Sequence, residues 1–156
     1  MSLIVRPALP ADHTVLVEFN RAMAWETEEK PLDVEILGRG VRGVFEDPRR
    51  GFYLVAARDG AVDGALLVTY EWSDWRCGDW WWLQSVYVRP PARGQGVFRA
   101  LFDAVVMRAR EAGAVGLRLY VEQHNHAAQR TYERLGMRHD SYRMMDLQFV
   151  PAARDA

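Results

Sequence analysis

Several things are scarce in this 156-residue sequence, and each shortage narrows what it can do. Cys77 is the only cysteine, so no disulfide closes within the chain and no thiolate cluster can hold a metal. No run approaches the ~18 consecutive apolar residues of a membrane span. The opening residues MSLIVRPALP lack the charged-then-apolar pattern of an export signal. A soluble, cytoplasmic protein is expected. Neither charge sign is in excess: 20 basic and 21 acidic residues leave a formal net charge of -1. That gives no general attraction to nucleic acid or to an anionic membrane. Lysine is almost missing, with Lys30 alone among the basic residues, a bias that composition explains without any function. Repeats, low-complexity tracts and linkers are absent.

What is present is a core. Apolar residues make up 49% of the chain, enough for one domain, expected over residues 1–150 with 151–156 as a frayed tail. SLIVRPA reads as a strand, and PADHTVLVEFNRAMAWETE as a helix with Val15, Leu16, Phe19 and Met23 at three- and four-residue spacing. PLDVEILGRGVRGVFEDP has helical period and a capping Asp33, but Gly38, Gly40 and Gly43 each cost about 1 kcal/mol there, so a broken or mobile helix is expected. A strand, an RDG turn and a strand come next over 51–72, then a third strand, DWWWLQSVYV. GQGVFRALFDAVVMRAREAG is the clearest helix, ended by Gly113. AVGLRLYVE reads as a strand and NHAAQRTYERLG as a short helix that Asn125 can cap and Gly136 can end. MRHDSYRMMDLQFV reads as a last strand. Hairpins succeeded by a β-α-β crossover predict a mixed α/β (α+β) sheet, mostly antiparallel, in the order β-α-α-β-β-β-α-β-α-β.

The stretch RPPARGQGVFRALF, residues 89–102, carries the most chemistry. A strand ends at Val88, glycines let the backbone curl, and a helix begins whose first N–H groups have no intrahelical partner. Such a turn can hold an anion, pyrophosphate in particular, with Arg93 adding a forked donor. The dinucleotide fingerprint fails because Arg99 stands where its third glycine belongs, and a P-loop fails for want of lysine. A plain glycine-rich turn is the competing reading of the local pattern.

VYVRPPARGQGV resembles the acyl-CoA pyrophosphate loop of the GNAT N-acetyltransferase superfamily. Downstream, YVEQHNHAAQRTYERLGMR is similar to that family's second signature, a strand, an asparagine and a helix with a tyrosine before ERLG. The element order matches the same fold over roughly residues 3–148. The resemblance implies an enzyme that moves an acetyl group from acetyl-CoA to a primary amine by direct attack. It places the pantetheine arm on the backbone of Val86, Tyr87 and Val88, and the pyrophosphate on Arg93, Gly94, Gln95, Gly96, Val97, Phe98 and Arg99. It puts Asn125 beside the pantetheine and makes Tyr132 the general acid. A tyrosine of pKa near ~10 is protonated at neutral pH and can donate to a leaving thiolate. Phe98 departs from the pattern, which has glycine or alanine there; the apolar helix face runs through Phe98, so its ring is expected in the core.

Gln84 stands where the family often carries a glutamate, and a glutamine cannot take up a proton. Glu26, Glu28, Glu71 and Asp74 are the candidates for the base, and Glu26 is the choice, although an exposed helix end or loop accounts for all four equally. Trp72, Trp75, Trp80, Trp81 and Trp82 crowd a short stretch; alternation puts Trp80 and Trp82 on one face and Trp81 on the other. Trp72, Trp82, Gln84, Glu28 and Glu71 are the residues expected to meet the acceptor, a small-molecule or peptide amine. HNH at 124–126 has no third ligand in sight, so no metal is expected. Cys77, with no histidine near it in sequence, is set aside as a nucleophile. A possible homodimer is implied by the resemblance alone. Two other classes stay open: an acyl-CoA-binding module without catalysis, which Gln84 favours, and a carbohydrate- or nucleic-acid-binding domain built on the tryptophans.

Overall fold

A computed structural model describes residues 2–150; the tail expected at 151–156 lies outside the described residues. The chain divides into a larger unit that runs to Arg118 and a smaller one that begins at Leu119.

The larger unit is built on a five-stranded sheet in sequential order, β1 (Ile4–Pro7), β2 (Phe52–Arg58), β3 (Ala61–Ser73), β4 (Gly78–Val88) and β5 (Gly116–Arg118). The first four strands pair antiparallel and β5 joins β4 parallel, which gives the mixed sheet the element order demands. Helix α1 (His13–Glu28) comes after a single 3-10 turn at Pro10–Asp12. With α2 (Val34–Glu46) it buries Leu16, Val17, Phe19 and Val41 against Tyr53, Val55, Ala65 and Tyr87. Alternation sends Leu54, Leu66, Val68, Trp81 and Leu83 to the opposite face, where α3 (Val97–Glu111) buries Leu101, Phe102 and Val105.

Helix α2 is continuous, which corrects the expectation of a broken or mobile segment. Asp33 accepts hydrogen bonds from the N–H groups of Glu35 and Ile36. Burial of Val41, with Leu37, Val44 and Phe45 packed on the same core, outweighs the propensity cost of three glycines. His13 Nε2 meets the Gly38 carbonyl at 2.8 Å, and Arg50 donates to the Gly43 carbonyl at 2.6 Å, so two of the glycine turns are tied from outside the helix.

In the smaller unit, α4 (His126–Arg134) starts as expected, with the Asn125 side chain accepting from the Ala128 N–H. The strand expected over 114–122 is shorter, three residues, and the strand expected over 137–150 is not formed. Alternating apolar residues mark a segment able to pair, but a strand also needs the backbone of a neighbour, and periodicity supplies none.

Candidate functional site

The register of β3 against β4 organises the site. From Leu67↔Gln84 to Ser73↔Gly78 the pairing is regular, and beyond it resumes one residue out of step at Ala65↔Tyr87. The extra residue makes a bulge in β4, with Ser85 at a φ of 51°. The bulge inverts the parity of the strand residues beyond it. Gln84 and Tyr87, three apart, both face the side covered by α1, whereas an unbroken strand would oppose them. Beyond Trp82, β4 also outruns β5, whose pairing is confined to Trp80, Trp81 and Trp82. Val86 and Val88, half-buried, lie on this stretch.

After Val88 the chain makes a 3-10 turn at Pro90–Ala92 and enters the loop before α3. Gly94 and Gly96 have φ of 75° and 78°, values that side chains with a Cβ rarely adopt. Ala100 is the first residue of α3 to bond back, onto the Gly96 carbonyl, so the turn around Val97, Phe98 and Arg99 directs N–H groups outward ahead of the helix. Phe98 is half-buried with its ring 6.0 Å from Phe102, on the apolar side of α3 but short of the fully buried core position expected. Arg99 lies along its own helix and pairs with Asp103 at 3.0 Å.

The hairpin of β2 and β3 braces this loop. Asp63, almost wholly buried, accepts from Arg89 Nη2 at 2.5 Å and Nε at 2.8 Å, and its carbonyl accepts from the Arg89 N–H. Arg58, 3.5 Å from the same carboxylate, donates to Gln95 Oε1, and Gln95 Nε2 donates to the Pro91 carbonyl. The Gln95 side chain therefore ties the loop to Arg58 and to the Pro91 carbonyl. Sequence reasoning missed Arg58, Asp63 and Arg89, because only the strand pairing brings them together.

Glu26 enters from the last turn of α1. Its Oε1 accepts from the Tyr87 hydroxyl at 2.9 Å and its Oε2 from Arg93 Nη2 at 2.7 Å. Arg93 also donates from Nε to the Val88 carbonyl and lies 5.5 Å from the centre of the Tyr87 ring. The Arg93 guanidinium holds the Glu26 carboxyl below the usual carboxylate range. Burial, and then the hydrogen bond to Glu26, pushes the Tyr87 phenol up. Of the four acids considered, Glu26 alone meets the loop through Arg93. Glu28 pairs with Lys30, and Asp74 caps its own loop at the Trp75 N–H.

The third cluster covers the open part of the same sheet face. Thr69 and Glu71 lie opposite Trp82 and Trp80, and Gln84 donates to Thr69 Oγ1 at 2.5 Å. Glu71 accepts from Trp82 Nε1 at 3.1 Å and from Arg118 at 2.8 Å. Arg118 lies 4.0 Å and Arg76 5.0 Å from the centre of the Trp80 ring. Trp72 does not join them. It lies opposite Asp79, on the other face of the sheet from Glu71, and is 63% exposed. Trp81 turns the other way into the core with Phe52 and Tyr70, as alternation predicts.

Tyr132 and Asn125 belong to the smaller unit. Tyr132 is half-buried on α4, and burial pushes its phenol up, so the group is protonated at neutral pH. Among the described residues, no three histidine, cysteine or acidic side chains form a metal-binding group, and no helix is long and apolar enough to cross a membrane.

The model of the Acetyltransferase (GNAT) family matches residues 13–137. Mycothiol acetyltransferase from Corynebacterium aurimucosum is 34% identical over 120 residues, 75% of this chain and 40% of that protein. The chain thus spans well under half the length of that relative. The crystal structure of a possible acetyltransferase from Clostridium difficile 630 superposes with a TM-score of 0.90 at 38% identity, over 97% of this chain and all of that one. A predicted acetyltransferase from Clostridium acetobutylicum, solved with acetyl-CoA, has the same fold at a TM-score of 0.78 and 16% identity, over 94% of this chain and 96% of that one. The chain belongs to the GNAT family of acetyltransferases.

Proposed function

We propose that this protein is an N-acetyltransferase that moves an acetyl group from acetyl-CoA to the primary amine of a small molecule. The observation that carries the reading is the run from the β4 bulge at Ser85 to the left-handed Gly94 and Gly96 at the start of α3. It offers, in sequence, strand backbone for a pantetheine arm and a helix N-terminus with Arg93 for two phosphates. Acetyl-CoA use is typical of the family, and the similar protein from Clostridium acetobutylicum was solved with it. A cytoplasmic location, with access to that donor, goes with the reading.

In this mechanism the N–H groups of β4 polarise the thioester carbonyl. Glu26 takes a proton from the ammonium of the acceptor, and the freed lone pair attacks the carbonyl carbon. The C–S bond breaks, Tyr132 gives its phenolic proton to the departing thiolate, and the surplus proton on the attacking nitrogen passes through solvent to the Tyr132 phenolate, leaving a neutral amide. The acceptor lies over Thr69, Glu71, Trp82 and Gln84, where the Trp82 ring can receive its apolar parts or its positive charge, while Arg76 and Arg118 already lie on the Trp80 ring. A peptide amine is the competing acceptor. Residues 1–150 are taken as one catalytic domain, because the family match runs across both compact units. A homodimer is part of the proposal, and the individually exposed Tyr142, Met144, Met145, Leu147 and Phe149 of the smaller unit are the apolar side chains a second copy would cover. Sedimentation velocity tests it.

The second reading, an acyl-CoA-binding module without turnover, draws on Gln84 standing in for an acid. Thermal unfolding with acetyl-CoA, CoA, NAD and ATP, and then thiol release with a panel of amines, separates the two. A ligand at a hundredfold over its dissociation constant adds about 2.7 kcal/mol. Stabilisation by acetyl-CoA and CoA alone, with thiol release, is the expected outcome. Stabilisation without release from any amine supports the module, and no stabilisation by either thioester or thiol removes both readings.

A further inference from the structure

Arg93 is expected to meet the donor's pyrophosphate, yet its guanidinium is already committed. It lies on Glu26 at 2.7 Å, and the Val88 carbonyl fixes its Nε at 2.8 Å. Glu26 in turn is positioned by a second donor, the Tyr87 hydroxyl, which stands on β4 beyond the bulge with its ring against Phe19. One arginine thus faces two claimants, a carboxylate of the chain and a phosphate of the donor, and both want the same forked N–H groups. The Arg93–Glu26 pair is partly exposed, with side chains 48% and 39% accessible, so it is a weak bond that a doubly charged ligand can displace.

We propose that Arg93 and Glu26 form an exchangeable latch: in the unloaded protein Arg93 holds Glu26, and a pyrophosphate arriving on the loop takes Arg93 over and releases Glu26 to the acceptor amine. The inference rests on the donor-site reading and adds an order to it. Donor binding frees the carboxylate that later receives the ammonium proton, so the acceptor site is completed only after the donor is in place. The present bond to Arg93 lowers the basicity of Glu26, and losing it restores a carboxylate better suited to take a proton. Tyr87 keeps Glu26 near β4 while its other oxygen changes partner.

Titration calorimetry of the whole chain with two probes tests the latch. CoA carries the pyrophosphate; pantetheine lacks it. Glu26→Gln removes the charged competitor and should tighten CoA about threefold, the scale of an exposed ion pair, while leaving pantetheine unchanged. In an Arg93→Met background the same substitution should change CoA affinity by less than a factor of about 1.5. Glu28→Gln, which removes an equal charge from the same helix end, should leave CoA affinity as it was. Unchanged or weaker CoA binding by Glu26→Gln overturns the latch. So does a tightening that persists without Arg93 or appears equally in Glu28→Gln, because a general field then explains it. Failure of the unsubstituted protein to bind CoA overturns the donor-site reading itself, and is distinguished by its appearing before any substitution is made.

Discussion

Asp63 and Arg89 lock the end of one hairpin strand to the start of the loop that leaves another. The carboxylate accepts two hydrogen bonds from the guanidinium, and the two backbones are bonded as well. Asp63→Asn keeps the shape and removes the charge, leaving Arg89 and Arg58 without their counter-ion. A loss of about 1–3 kcal/mol in urea unfolding is expected, together with weaker CoA binding, because the loop rests on this brace. Unaltered CoA affinity in a destabilised variant would show the loop to be independent of it.

Tyr132→Phe removes only a hydroxyl. If that hydroxyl protonates the leaving thiolate, turnover falls about 10²-fold or more, and CoA affinity stays within about twofold of the unsubstituted protein. Because burial raises the phenol, the alkaline limb of the rate profile should lie above the ordinary tyrosine value of ~10. Wild-type turnover in the variant removes the role.

Two glycines test the donor loop in different ways. At Gly64 a Cβ would stand 2.9 Å from Val97 Cγ1 and 3.0 Å from the Tyr87 carbonyl oxygen, so alanine must push the start of α3 off the sheet. A cost of about 1–3 kcal/mol is expected, seen as a lower denaturation midpoint. At Gly96 there is open space but a φ of 78°, so Gly96→Ala strains the turn by about 1 kcal/mol. The expected result there is a higher KM for the donor in a protein that folds normally.

Asp12 accepts Arg6 at 2.7 and 3.1 Å and the Leu9 N–H at 2.7 Å. The Arg6 guanidinium holds its carboxyl below the usual range. Between the folded value and the unfolded value of ~3.9 the unfolded chain binds more protons, so this contribution to stability is complete above ~4 and is lost as pH falls through the folded value. Asp12→Asn should cost about 1–2 kcal/mol at neutral pH, and the two unfolding curves should converge in strong acid.

Glu71 organises the aromatic face by accepting from Trp82 and Arg118. Glu71→Gln should raise the acceptor KM about tenfold, equivalent to ~1.4 kcal/mol, with the donor KM unchanged. Equal effects on both substrates would place Glu71 outside the acceptor site.

Helix periods, the Asn125 and Asp33 caps and the glycine turn were legible in the sequence because each is a local rule acting over a few residues. The α2 glycines misled because packing, which no local window contains, decides whether such a helix holds. The final strand misled for the related reason that half of its hydrogen bonds belong to another segment. In the site, Glu26 could be proposed from its place at the end of α1, but its partners Tyr87 and Arg93 are more than sixty residues away. Arg118 carried no signal at all, since only the parallel register of β5 brings it over Trp80. Trp72 was expected beside Trp82 at the acceptor, and the strand pairing gives it the opposite face.

The extra residue at Ser85 gives β4 two phases, and that sets the terms for redesign. A substitution library that treats the strand as one alternating run would choose Trp80, Trp82, Gln84, Val86 and Val88 as a single lining. Across the bulge the set becomes Trp80, Trp82, Gln84 and then Tyr87. On the proposed site, acceptor preference and the grip on Glu26 are therefore adjacent dials on one strand, and a deletion of Ser85 would turn both at once.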